Sequence, residues 1–145
     1  MRSSYTRLYI HLVWGTWDRL PLITPDIESP LYAGIAKKCY ELKCSPLAIG
    51  GLEDHVHLLV RLHASTSISL LAKEVKGSSS HLATHVLKPG QFFKWQGSYG
   101  ALSCREQDVP RLKAYIENQR ARHDQMKIEP IWETVEDLED HLGGE

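Results

Sequence analysis

The order of apolar and polar positions divides the chain into strand-like and helix-like stretches. Tyr5 to Trp14 is dense in aromatic and β-branched residues and predicts a first strand. A loop through Pro21 and Pro25 follows. Ser29-Pro30 reads as a helix start, with Ser29 as N-cap and Pro30 at the first helical position. Leu31, Ile35, Cys39 and Leu42 then recur at helical spacing. Pro46 to Ile49 opens a second strand that ends near Gly50-Gly51. From His55 to His63 the chain alternates. Val56, Leu58, Val60 and Leu62 share one face, and His55, His57, Leu59, Arg61 and His63 share the other. Leu52-Glu53-Asp54 leaves room for a tight connection alone, so these two strands form a hairpin.

Ser67 can cap a second helix with an apolar stripe of Ile68, Leu71, Ala72, Val75, Ser79, Leu82 and Val86. Lys73, Lys76, His81 and His85 lie off that stripe. Gly77-Ser78-Ser79-Ser80 are poor interior helix residues and predict a bend or break. Gln91 to Leu102 reads as a fourth strand. Asp108 then caps a last helix, with Pro110 in its first turn and Val109, Leu112 and Ile116 facing inward. After Pro130 the chain turns acidic, with a short helix expected near Trp132 to His141.

The order is β-α-β-β-α-β, then α. That is an α+β, ferredoxin-like arrangement: an antiparallel sheet with two helices on one face. The third strand is expected at its centre, with the histidine side on the opposite, open face. One domain is expected over 1–145, with 125–145 as an acidic tail.

Composition narrows the function classes. The chain is 42% hydrophobic and 24% charged, which argues for a folded core and against disorder. With a net charge of -1, no overall field attracts polyanions, so nucleic-acid contact has to come from a local basic patch. Cys39, Cys44 and Cys104 make no CxxC pair, which suggests reduced thiols in a cytoplasmic protein. No signal-peptide pattern opens the chain, and no apolar run approaches the ~20 residues of a membrane span.

Two histidines at i and i+2 on a strand point the same way, roughly 6–7 Å apart. On the side opposite the apolar residues, His55 and His57 are hard to explain as core and can converge on one cation. Tyr115 and Gln119 are i and i+4 neighbours on a helix. Gln119 offers a hard amide oxygen, and Tyr115 a hydroxyl nucleophile. Two imidazoles, one amide oxygen and positions left for phosphate oxygens suit Mg2+ or Mn2+ better than a closed zinc site.

Glu53-Asp54-His55-Val56-His57-Leu58-Leu59-Val60, Lys76-Gly77, Lys94 to Gly100, and Tyr115-Ile116-Glu117-Asn118-Gln119 with Arg122-His123 close behind together resemble the small single-tyrosine transposases of the HUH nuclease superfamily. These include insertion-sequence-200-like and REP-associated tyrosine transposases. The resemblance spans roughly residues 5 to 124. It implies a ferredoxin-like homodimer, in which active sites can be shared between subunits. It also implies recognition of single-stranded DNA hairpin ends, with cleavage and rejoining through a 5′-phosphotyrosine. Carried over by motif, His55, His57 and Gln119 are metal ligands and Tyr115 is the nucleophile. Many relatives have a His-His pair where this chain has Arg122-His123, and many are basic.

Blander readings stand beside these. Tyr115 alone is a half-buried aromatic, and Gln119 a solvated helix residue. Trp95 and Tyr99 belong to the sheet core or a dimer interface. Lys76, Arg105, Arg111, Arg120 and Arg122 are either phosphate contacts or a solvated face. His11, His63, His81 and His85 receive no role. Two other functions stay open: a non-catalytic single-stranded nucleic-acid-binding module, and a zinc-dependent hydrolase using His55 and His57.

Overall fold

The computed structural model describes residues 4–119. A four-stranded antiparallel sheet is built from β1 (Leu8–Gly15), β2 (Ser45–Leu52), β3 (His55–Leu62) and β4 (Gly100–Cys104), in the order β2-β3-β1-β4. Three α-helices join it: α1 (Pro25–Glu41), α2 (Ile68–Leu82) and α3 (Val109–Glu117). This is the expected order, with β3 inside the sheet. β2 and β3 form the expected hairpin, closed by Glu53-Asp54 between the paired Leu52 and His55. Pro46 sits at a register shift on β2, an edge strand, where a residue without an N–H is tolerated.

Strand alternation divides the apolar residues between two cores. Ile10, Leu12 and Trp14 of β1 and Val56, Leu58, Val60 and Leu62 of β3 pack against α1 and α2. Leu59 of β3 and Ala48 of β2 turn to the other face, where they meet Leu112, Tyr115 and Ile116 of α3. The histidine face is therefore not open, as expected from the sequence, but roofed by α3. Each fully buried aliphatic side chain contributes roughly 1.5–3 kcal/mol, so Leu112 and Ile116 alone are a substantial hold on that roof.

Other expectations are also corrected. α1 starts at Pro25, with Thr24 at the N-cap, and not at Pro30. Thr24-Pro25-Asp26 is itself a start signal, and Ile27 extends the buried stripe of Leu31, Ile35 and Cys39 by one turn. Pro30 lies inside the helix, where it forfeits one hydrogen bond.

α2 begins as expected, with Ser67 Oγ accepting from Leu70 N at 3.1 Å. It runs unbroken through Gly77 to Ser80. Ser79 anchors it there: its hydroxyl donates to Val75 O at 2.6 Å and accepts from Trp95 Nε1 at 2.9 Å. The irregularity comes later, as a π turn over Ala83–Leu87, which rotates Val86 out to solvent.

β4 covers only the end of the predicted strand. Phe93 and Trp95 dive into the core, and the one pairing from this stretch is the isolated bridge between Thr16 and Trp95. The carbonyls of Gln96 and Ser98 are taken by Lys76 Nζ at 2.7 and 3.0 Å instead of by a strand.

Cys39, Cys44 and Cys104 are free thiols, as expected. Burial pushes the Cys39 thiol up to about 12, with Cys44 adding to it. No helix among the described residues is long and apolar enough to cross a membrane. The acidic tail with its expected helix, and Arg120 and Arg122, lie outside the described residues.

Candidate active site

The site is built from the sheet upward. Because Val56 and Leu58 point into the α1/α2 core, His55 and His57 project toward α3. Both are buried, and their ring centroids are 5.1 Å apart. The same parity on β1 turns His11 to this face, since Ile10 and Leu12 point the other way. His11 pairs with Leu59, two residues from His57, so the two histidines are diagonal neighbours. His11 Nε2 lies 2.8 Å from His57 Nδ1, and both side chains are buried.

The hairpin turn supplies the next group. Asp54 Oδ1 lies 2.8 Å from His55 Nδ1, and Asp54 Oδ2 accepts from Arg19 Nη2 at 3.0 Å. Arg19 reaches it from a loop held in the left-handed region, with φ 52 at Asp18 and 54 at Arg19. That loop is stitched to the hairpin tip by Thr16 N to Asp54 O and Ile23 N to Glu53 O, both 2.9 Å. Burial raises the Asp54 pKa, but the His55 hydrogen bond and the charges of His55 and Arg19 outweigh it. The carboxyl stays below its usual range.

α3 brings the remaining groups down onto the histidines. Tyr115 is fully buried, with its ring edge-on to His57 at 6.0 Å between centroids. The helix ends at Glu117 and Gln119 follows the cap residue Asn118. The Gln119 amide still donates back to Tyr115 O at 3.4 Å, and its Oε1 lies 3.3 Å from His55 Nε2. The four residues singled out by motif, His55, His57, Tyr115 and Gln119, are thus brought together from the hairpin and the distant α3 segment. α3 can lie this close because Gly50 of β2 has no side chain: a Cβ there would stand 2.0 Å from Ile116 O.

The donor chemistry suits a divalent cation. His55 is held by its Nδ1, so Nε2 is the ring nitrogen that faces the Gln119 oxygen, and carboxylate-held imidazoles are common metal ligands. Among the described residues no group of three His, Cys, Asp or Glu is placed to hold a metal. His55, His57 and the Gln119 amide are the groups here that could hold a cation, and the amide oxygen is a hard donor of the kind that suits Mg2+ or Mn2+.

Among the described residues, the basic side chains named from the sequence, Lys76, Arg105 and Arg111, sit on different elements. Lys76 is bonded to two carbonyls, and burial pushes its pKa down to about 8. Arg105 is exposed, with Nε 3.0 Å from Asp108 Oδ2. It lines a cleft of about 270 Å³ between β4 and α3, whose wall includes His11. Arg111 is exposed on α3. Trp95 belongs to the core, and Tyr99 packs against it.

Sequence reasoning missed His11, Asp54 and Arg19 as parts of the site. For His11 the signal was strand parity, usable once β1 is known to pair with β3. For Asp54 it was adjacency to His55 at a two-residue turn. Nothing local marked Arg19.

A sequence model of the family described as "Transposase IS200 like" matches residues 4–119. The chain belongs to this transposase family, and that membership supports a function in DNA transposition. Among solved structures, one assigned as a transposase of Deinococcus radiodurans R1 is 24% identical, with a TM-score of 0.61 over 82% of this chain and 95% of that one. A REP-associated tyrosine transposase bound to a REP hairpin is 18% identical, with a TM-score of 0.63 over 85% of this chain and 73% of that one. Both share the fold. No curated protein sequence is similar enough to this chain to count as a match.

Proposed function

We propose that this protein is a single-tyrosine transposase that cuts and rejoins single-stranded DNA at hairpin ends, with Tyr115 as nucleophile and His55, His57 and Gln119 as ligands to Mg2+ or Mn2+. The observation that carries this reading is the juxtaposition under α3. His55 Nε2 meets Gln119 Oε1 at 3.3 Å while Tyr115 lies edge-on to His57. The hairpin-bound structural relative points to the same class of substrate.

In the proposed step Tyr115 Oη bonds to the scissile phosphorus and the P–O3′ bond breaks. In net terms the phenol proton ends on the departing 3′ oxygen, which leaves as a hydroxyl, and the 5′ phosphate stays esterified to Tyr115. A later 3′-hydroxyl reverses the exchange and joins a new strand, so the bond energy is conserved and no nucleotide cofactor is consumed. His55, His57 and Gln119 would hold the cation, which when bound would polarise the phosphate and offset developing charge. Asp54 orients His55 through its Nδ1. The reaction belongs in the cytoplasm, on nucleoid DNA. In the single chain Tyr115 stands beside that chain's own His57. A homodimer is carried as part of the proposal.

The test is a gel-shift for a covalent adduct. The protein is incubated with single-stranded oligonucleotides taken from the hairpins flanking its gene, with and without Mn2+. A denaturant-resistant adduct that requires Mn2+ and disappears in Tyr115→Phe is the expected result. Adduct formation unchanged in Tyr115→Phe, or none with wild type on any flanking hairpin, refutes the assignment.

A further inference from the structure

The His11–His57 contact has a chemical consequence of its own. Two imidazole nitrogens 2.8 Å apart are well inside the ~3.5 Å of ordinary van der Waals contact. A shared proton, not ring stacking, therefore holds them. Their near-parallel planes, 20° apart with centroids at 5.1 Å, agree with rings meeting edge to edge. The proton sits on one of the two nitrogens. On His11 Nε2 it would force His57 to carry its own proton on Nε2. On His57 Nδ1 it leaves the lone pair on His57 Nε2.

We propose that His11 is a positioning residue that accepts the proton of His57 Nδ1, fixes His57 in the tautomer with its lone pair on Nε2, and so prepares it as a metal ligand. The inference rests on the active-site reading above. Two features support it. First, His55 is held in the same way: its Nδ1 is engaged by Asp54 and its Nε2 faces Gln119. The two histidines of the motif are thus each gripped by Nδ1, one by a carboxylate and one by an imidazole. Second, His11 is rigidly placed. β1 lies between β3 and β4, and His11 is buried, on the wall of the cleft beneath α3. A neutral acceptor there orients the second ring without adding a second negative charge to a buried site. Partners that hold the other nitrogen of a ligating histidine typically change metal affinity by about 10- to 100-fold.

The tautomer is read directly by long-range 1H–15N NMR on metal-free, 15N-histidine-labelled protein, with His57 assigned by comparison with His57→Gln. His57 protonated on Nδ1 is expected; His57 protonated on Nε2 overturns the proposal. Mn2+ titration then compares variants of matched stability. His11→Phe keeps the ring shape without the acceptor and is expected to weaken Mn2+ binding about 10- to 100-fold. His11→Gln, whose amide oxygen can accept, should recover part of that loss. Wild-type affinity in His11→Phe overturns the proposal while leaving the transposase reading intact. If wild type itself binds no Mn2+ and forms no adduct, the transposase reading falls, and the tautomer spectrum alone decides the role of His11.

Discussion

Asp54 grips His55 from the ring nitrogen opposite the one that meets Gln119: Oδ1 stands 2.8 Å from Nδ1, and Gln119 Oε1 stands 3.3 Å from Nε2. Under the proposed function, Asp54→Ala should therefore weaken Mn2+ binding by about 10- to 100-fold while leaving every proposed ligand in place, measured by calorimetry. Because its folded pKa lies below the ordinary 3.8, the ionised Asp54 stabilises the fold above that value. Its contribution is lost as pH falls through the folded pKa. The stability gap between wild type and variant in urea should accordingly be full near neutrality and close in acid. A gap that widens in acid would contradict the arrangement.

Tyr115 is 0% exposed, whereas Tyr5 and Tyr40 are 78% and 65% exposed. Tetranitromethane should therefore nitrate Tyr5 and Tyr40 first and spare Tyr115, as followed by peptide mass spectrometry. Under the proposed function a phosphate must reach the Tyr115 hydroxyl, so α3 has to lift from the sheet. Amide exchange in α3 should accordingly be faster than in β1 and β3. Early nitration of Tyr115, or exchange in α3 as slow as in β1, would contradict a buried tyrosine under a helix that lifts.

Local patterns foretold much of this. Period-two alternation in β3 set the direction of His55 and His57, and the short Leu52-Glu53-Asp54 connection set the hairpin, although Leu52 itself belongs to β2 and only Glu53-Asp54 form the turn. What they could not convey was how α3 packs. Its apolar residues Val109, Leu112 and Ile116 have the same pattern whichever face of the sheet they cover. The chain uses the histidine face because Leu59 and Ala48 offer apolar ground there, and Gly50 allows close approach. The segment before β4 misled for a related reason. Phe93 and Trp95 suit a strand, but burial in the α1/α2 core and the Lys76 ammonium take their stretch of backbone out of the ladder. His11 needed the β1–β3 register, a long-range fact.

Lys76 separates two roles for a basic residue. Its ammonium holds the carbonyls of Gln96 and Ser98, so K76M should cost roughly 1–3 kcal/mol by leaving them without a donor. With its pKa pushed to about 8 from the ordinary 10.5, the folded protein binds fewer protons between those values than the unfolded chain. Stability from this site then rises with pH across that window. The advantage of wild type over K76M should grow over the same range in urea titrations. An unchanged urea midpoint with lost DNA affinity would instead mark Lys76 as a phosphate contact.

Gly50 is the sharpest test of how α3 is seated. A Cβ at this position would meet Ile116 O at 2.0 Å and its carbonyl carbon at 2.9 Å, which are backbone atoms that cannot rotate aside. G50A must push α3 away from β2, and overpacking of this kind costs typically 1–3 kcal/mol. The displacement should also loosen Tyr115 from His57, so its nitration should rise while that of Tyr5 stays constant. Gly77 is the matched control. It lies within α2, and a Cβ there would meet nothing within 4 Å, so G77A should stabilise the protein by roughly 0.5–1 kcal/mol. Opposite shifts of the two melting temperatures, with Tyr115 uncovered in G50A alone, are the expected pair of results. A G50A protein that melts like wild type and still protects Tyr115 would mean that α3 does not rest on β2 in this way.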